Sequence, residues 1–134
     1  MADLLYPLGK KAILEGDIAI DTDTIKVALV DLTADYTYSA AHQFKSSVTS
    51  YGASTDQTVA NITVTGGVVD TNDTETFTSV AQDGSKTVGA LVIYKDTGNA
   101  STSPLIAYID ITSPITPNTG DITITWNASG IFEI

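Results

Sequence analysis

The chain of 134 residues contains no cysteine, no arginine and a single histidine, His42. Without cysteine there is no disulfide, no thiolate nucleophile and no cysteine-built zinc site. Without arginine there is no planar fork to grip a phosphate or carboxylate at two points. The six basic residues are all lysines, set against 16 acids, and the net charge is −10. A chain this acidic, with no basic cluster, lacks the electrostatic footprint of a DNA- or RNA-binding protein. An anionic membrane surface is disfavoured for the same reason. No run of about 18 apolar residues occurs, so no segment reads as a membrane-spanning helix. The opening MADLLYPLGKK lacks the long apolar stretch of an export signal, because Pro7, Gly9, Lys10 and Lys11 interrupt it. The phosphate-cradling pattern G-x-x-x-x-G-K-[ST] and the nucleophile elbow G-x-S-x-G are also missing. With one imidazole and no elbow to serve, His42 reads as a residue that caps or packs a loop turn rather than a catalytic base.

What is present is strand-forming. Apolar residues make up 43% of the chain, enough for one ordinary core. Thr, Val and Ile are abundant, and their branched side chains favour strands. The length fits a single domain over 1–134. PLGKKAILEGD (7–17) is the best helix candidate, with Leu8, Ala12 and Leu4 or Leu5 at helical spacing, Pro7 in the first turn and Gly16 as a stop. Gly9 weakens it, so residues 1–16 read as a short helix or a docking arm. DTDTIKVALVDL (21–32) sets Ile25, Val27 and Leu29 on one face and Ala28 and Val30 on the other, as in a strand buried on both sides. Ala40–Val48 reads as a second short helix with Ser39 as its N-cap.

Strand signals dominate the remainder. TVANITVTGGVVD (58–70) alternates, with Ala60, Ile62 and Val64 on one face and Val59, Asn61, Thr63 and Thr65 on the other, and Gly66-Gly67 marks a turn or bulge. A weak strand surrounds Phe77, and Asp83-Gly84 gives a hairpin signal. The apolar runs Leu91–Tyr94 and Leu105–Ile111 flank a polar hairpin loop at 97–103. Ile122, Ile124 and Trp126 share one face, with Trp126 read as core, and IFEI closes the chain as a final strand. About seven or eight strands with no crossover helices predict an all-β fold, an antiparallel β-sandwich of jelly-roll-like type.

Candidate chemistry is sparse. Asp17, Asp21 and Asp23 form one acidic group and Asp70, Asp73 and Glu75 another. Neither matches the EF-hand loop, and both read as solvated turn carboxylates. No cofactor is expected. The sequons at Asn61, Asn72, Asn99 and Asn127 follow from the abundance of Thr and Ser. Tyr36, Tyr38, Phe44 and Tyr51, with His42 among them, form the most aromatic stretch. Tyrosine is enriched at interfaces because it buries a large area and keeps a polar tip. The expected partner-binding residues are therefore Leu4, Leu5 and Tyr6 of the arm, and Tyr36, Tyr38, His42, Phe44 and Tyr51. The competing reading is that Phe44 and one tyrosine plug the end of the sandwich.

Four stretches, YPLGKKAILEGDIAIDTDTIKVALVD, DYTYSAAHQF, LVIYKDTG-x-x-STSPLIAYID and TPNTGDITITW, resemble small virion structural proteins of tailed bacteriophages. Such proteins assemble in the host cytoplasm and leave by lysis, needing neither export signal nor disulfide. The resemblance implies no catalytic residue. It implies a virion part, of the capsid decoration (cement) or head-fibre type or otherwise tail-associated, and the acidic charge, repelled by a packaged genome, favours a non-enzymatic place on the outer capsid surface. Its partners would be the major capsid protein, other virion proteins and further copies of itself, with a trimer expected. The alternatives are a tail-associated or receptor-binding module that recognises host surface glycans through the loops Thr97–Ser103 and Ser113–Thr119, and a carbohydrate-active enzyme built on a sandwich.

Overall fold

In a computed structural model, which describes residues 4–134, β2 (Ile25–Val30) and β7 (Val88–Lys95) form the centre of the molecule. They pair antiparallel in continuous register from Ile25↔Lys95 to Val30↔Ala90. β8 (Leu105–Ile115) returns along the other side of β7, so the polar loop between them does close a hairpin. β1 (Leu4–Leu5) and β3 (Gln57–Thr58) complete a five-stranded sheet in the order β1-β8-β7-β2-β3. Two smaller antiparallel sheets form the second layer. One is β10-β5-β4, from Phe132–Glu133, Val68–Thr71 and Ile62–Thr65; the other is β6-β9, from Thr74–Phe77 and Ile122–Thr125. The fold is all-β and sandwich-like, with ten strands among the described residues rather than seven or eight. The extra ones are two-residue pieces that hydropathy alone does not mark.

The large sheet is buried on both faces, as β2 predicts. Ile25, Val27, Leu29, Leu91 and Ile93 pack with Val69, Phe77, Ile122, Ile124 and Ile131 of the second layer. Ala28, Val30, Ala90, Val92 and Tyr108 pack on the opposite side with Tyr6, Tyr36 and Val48. β8 keeps both faces apolar by a bulge: Ile106 is an extra residue opposite Ile93–Tyr94, and it turns into the first cluster beside Ala107.

The helix forms as α1 (Pro7–Leu14), opened by Pro7 and stopped by Gly16 at φ 87°. Leu4 and Leu5 do not continue it. They extend along Tyr108 and Ala107 as β1, because Tyr6 is held at φ −66°, ψ 127° ahead of Pro7. The first three residues of the expected 1–16 arm lie outside the described residues. Gly9 earns its place by contact: a Cβ there would collide with the Leu105 carbonyl oxygen and sit 3.1 Å from Ile106 Cα. The helix lies directly on β8.

Three local expectations need correction. Ala40–Val48 is not helical beyond a single 3-10 turn at Lys45–Ser47. Phe44 precedes that turn in extended backbone and bridges to Pro104, while Ser39 Oγ accepts the Ala41 N–H in a local turn. The alternation through 58–65 breaks at Asn61, whose φ is +52°. Val59 is therefore buried, whereas Ala60 and Val64 are exposed. Asp83-Gly84 makes a turn, with Lys86 N–H bonded to Asp83 O, but it leads from the small sheet to the large one and closes no hairpin. Gly66 and Gly67, both at positive φ, do close one, between β4 and β5. Among the described residues no helix is long and apolar enough to cross a membrane.

Candidate contact surface

The aromatic stretch folds inward over the second face of the large sheet. Tyr6 is fully buried and its hydroxyl lies 2.6 Å from that of Tyr36, which lies 2.8 Å from His42 Nδ1. Tyr38 packs between Tyr6 and Tyr108, at ring distances of 5.1 and 5.4 Å, within the range of favourable aromatic pairs. Burial, followed by the bond to Tyr36, pushes the Tyr6 hydroxyl far above its ordinary pKa. Tyr51 is also fully buried: it donates to Ala81 O at 3.0 Å and accepts from Asp83 N–H at 2.8 Å. Of the eight expected contact residues, Tyr6, Tyr36 and Tyr51 are thus internal. Leu5, Tyr38, His42 and Phe44 are half-buried, and Leu4 is exposed. The structure gathers Tyr6, Tyr36, Tyr38 and His42 into one cluster. Phe44 and Tyr51 stand apart from it, and Leu4 and Leu5 lie on the β8 edge.

Polar anchors hold this loop region to the sheet. Asp31, fully buried at the end of β2, accepts from Thr33 N–H, Thr33 Oγ1, Ala34 N–H and Thr87 N–H at 2.6–3.0 Å. Burial alone would raise its pKa, but these bonds together outweigh burial and hold it below the usual range. Tyr94 donates to Asp56 at 2.5 Å beneath Lys45, whose ammonium lies 5.4 Å from the Tyr94 ring centre. Lys86 joins Asp35 to Asp83, and Lys95 pairs with Asp23 at 3.0 Å. Each acidic group of the sequence has members that are engaged: Asp23 accepts the Ala19 N–H, and Asp73 accepts from Asn61, whereas Asp17 and Asp21 are exposed. Among the described residues no three His, Cys, Asp or Glu side chains converge as a metal site.

The second layer carries charge of one sign. Residues 57–85 and 96–134 contain no lysine. Asp70, Asp73, Glu75, Asp121 and Glu133 all lie on or beside the small sheets. Glu75 is 3% exposed and accepts the indole N–H of Trp126. Burial raises its pKa and the neighbouring Asp73 adds to the rise, against the lowering effect of the Trp126 bond. Trp126 packs at the rim of the core rather than within it. It lines a cleft of about 450 Å³ that opens between the layers, with Leu91, Ile109, Ile111, Ile115 and Ile124 among its other walls. Sequence reasoning missed this cleft. Its isoleucines have the spacing of ordinary core positions, and nothing in a strand's own residues says whether a neighbouring strand covers it.

No protein-family model matches the chain, and a search of curated proteins finds no match.

Proposed function

We propose that this chain is a structural protein of a tailed-bacteriophage virion, a capsid decoration (cement) protein that binds the outer surface of the major capsid shell and stabilises it. The observation that carries this reading is the one-sided charge. Five of the six lysines pair with acids, whereas the small sheets hold five carboxylates and no lysine. A body of net charge −10 is repelled by a packaged, anionic genome, so the outer face of a shell suits it and the lumen does not. A sheet filled on both faces gives a rigid body, and rigid bodies lose little freedom on docking. Many weak seams bridged at once would add up along a shell.

The glycan-binding alternative leans on the loops Thr97–Ser103 and Ser113–Thr119; residues 113–115 of the second belong to β8, and the hydroxyls of the first weigh against it. Thr97 Oγ1 bonds Thr102 Oγ1 at 2.6 Å, Ser101 Oγ donates to Asn99 Oδ1 at 2.8 Å, and Ser103 Oγ donates to Asn99 O at 2.8 Å. A loop that satisfies itself has few free groups for a sugar.

The test compares phage heads assembled with and without this chain. Heads lacking it should release DNA at a temperature several degrees lower, and added purified protein should restore the difference. Equal release temperatures, or binding of the purified chain to host cells in place of heads, would overturn the reading.

A further inference from the structure

Three local features shape the cleft between the layers. On β8, residues 111–114 stand opposite the single Gly89 of β7, between the pairs Ala90↔Asp110 and Val88↔Ile115. An insertion of this kind bends a strand and re-aims its side chains, and Ile111 and Ile115 at its two ends both line the cleft. The facing wall comes from β9 and the residues after it. Trp126 is held there by its indole N–H, which donates to Glu75, a residue only 3% exposed. Gly130 adds the third feature: at φ +115° it passes so near β5 that a Cβ would sit 2.6 Å from Val68 Cγ1. The cleft measures about 450 Å³, within the range of small-molecule sites.

Among the described residues, none that lines the cleft is charged. Asp110, between Ile109 and Ile111, falls on the opposite face of β8 by strand alternation, beside Tyr108. Glu75 is buried and engaged by the indole. The β7–β8 wall is wholly aliphatic, with Leu91, Ile109, Ile111 and Ile115. The opposite wall mixes Ile124 and Trp126 with Thr123, Thr125, Asn127 and Ser129. An ion entering this space would shed water and meet no counter-charge. A sugar, polar on every edge, would set hydroxyls against the isoleucines. We propose that the cleft binds one uncharged small molecule with an apolar body and a single hydrogen-bonding edge, of the class of an aromatic or alicyclic alcohol. Its body lies against β7, β8 and the indole, and its polar edge meets the hydroxyls and amide of the β9 wall. The inference goes beyond the virion reading and does not rest on it, and its test needs no phage particle.

Trp126 lines the cleft and is the only tryptophan, so its emission reports occupancy. The purified chain is titrated with three probes that share a tert-butylphenyl body. They are para-tert-butylbenzyl alcohol, which is neutral, para-tert-butylbenzoate, an anion, and para-tert-butylbenzylamine, a cation at neutral pH. The alcohol should shift Trp126 emission saturably and bind at least about tenfold more tightly than either ion, because an unpaired charge keeps its desolvation cost. The net charge of −10 attracts the amine at long range, which makes the amine the stricter control. Added salt should leave the alcohol's affinity unchanged. Ile111→Asp should weaken the alcohol about tenfold or more and let the amine bind in its place. In the wild type with labelled isoleucine methyls, which requires no variant to fold, the alcohol should move the signals of Ile109, Ile111, Ile115 and Ile124. Those of Ile18 and Ile20, which do not line the cleft, should stay. Methyl signals that move at Ile18 and Ile20 instead, or amine binding as tight as the alcohol's, would overturn the proposal. Tighter binding of methyl glucoside than of the alcohol would assign the cleft to a sugar, and an emission shift produced by concentrating the protein alone would assign it to a second copy. Either result would equally overturn the proposal.

Discussion

Glu75 is the residue whose environment is most at odds with its charge. It is buried, faces Asp73 and has the Trp126 indole as its side-chain partner. Its folded pKa lies above the unfolded value of about 4.3, so the folded chain holds a proton that the unfolded chain gives up. That stability is fully present below about pH 4.3 and is lost as pH rises through the folded pKa. Asp31, Asp23 and Asp96 act oppositely, since their depressed pKa values give stability above the ordinary Asp range that is lost on acidification. Comparing the wild type with Glu75→Gln isolates the first effect. As pH is raised from 4 to 7, the melting temperature of the wild type should fall relative to the variant and then run parallel to it. A constant difference across that range would show that Glu75 titrates normally. None of this could be read from the sequence, where Glu75 stands in a polar run, TNDTETF, that reads as a solvated turn. The left-handed backbone at Asn61 was equally hidden, because asparagine only permits that conformation; it put Val59 inside and Val64 outside.

Among the elements, those with a strong internal period were readable. Ile25, Val27 and Leu29 against Ala28 and Val30 announced a doubly buried strand, and the two sets occupy separate cores. Pro7 and Gly16 fixed the ends of α1 within about two residues. Elements set by their neighbours were not readable: β1 exists because β8 offers an edge, and Ala40–Val48 stays irregular because Phe44 pairs with Pro104. Gly9 is where the two levels compete. On helix propensity alone, Gly9→Ala should stabilise α1 by about 1 kcal/mol. Against β8 the added methyl collides with the Leu105 carbonyl, a backbone atom with no rotamer to yield, so the overpacking cost lies at the upper end, about 3 kcal/mol. The variant should therefore melt roughly 5–10 °C lower by circular dichroism. A melting temperature at or above that of the wild type would mean that α1 does not rest on β8.

For the whole molecule, sequence gave an all-β sandwich with an acidic surface, and composition alone could not say where the acid lies. Folding sorts it: the lysines go to α1, the large sheet and its approaches, and the unbalanced carboxylates go to the small sheets beside the open cleft. Of the proposed contact residues, the tyrosines turned out to be largely internal. An interior tyrosine and an interface tyrosine have the same sequence signature, an aromatic body with a polar tip, and only the fold separates them. Tyr6, Tyr36 and Tyr51 belong to the interior, while Leu5, Tyr38, His42 and Phe44 are half-buried and Leu4 is exposed. The central claim is that this body works by adhering to a shell from outside. An electron-microscopy map of the purified virion tests that most directly. The account predicts density for this chain in regular copies on the outer face of the head. Density confined to the tail, or absence of the chain from the particle, would contradict it.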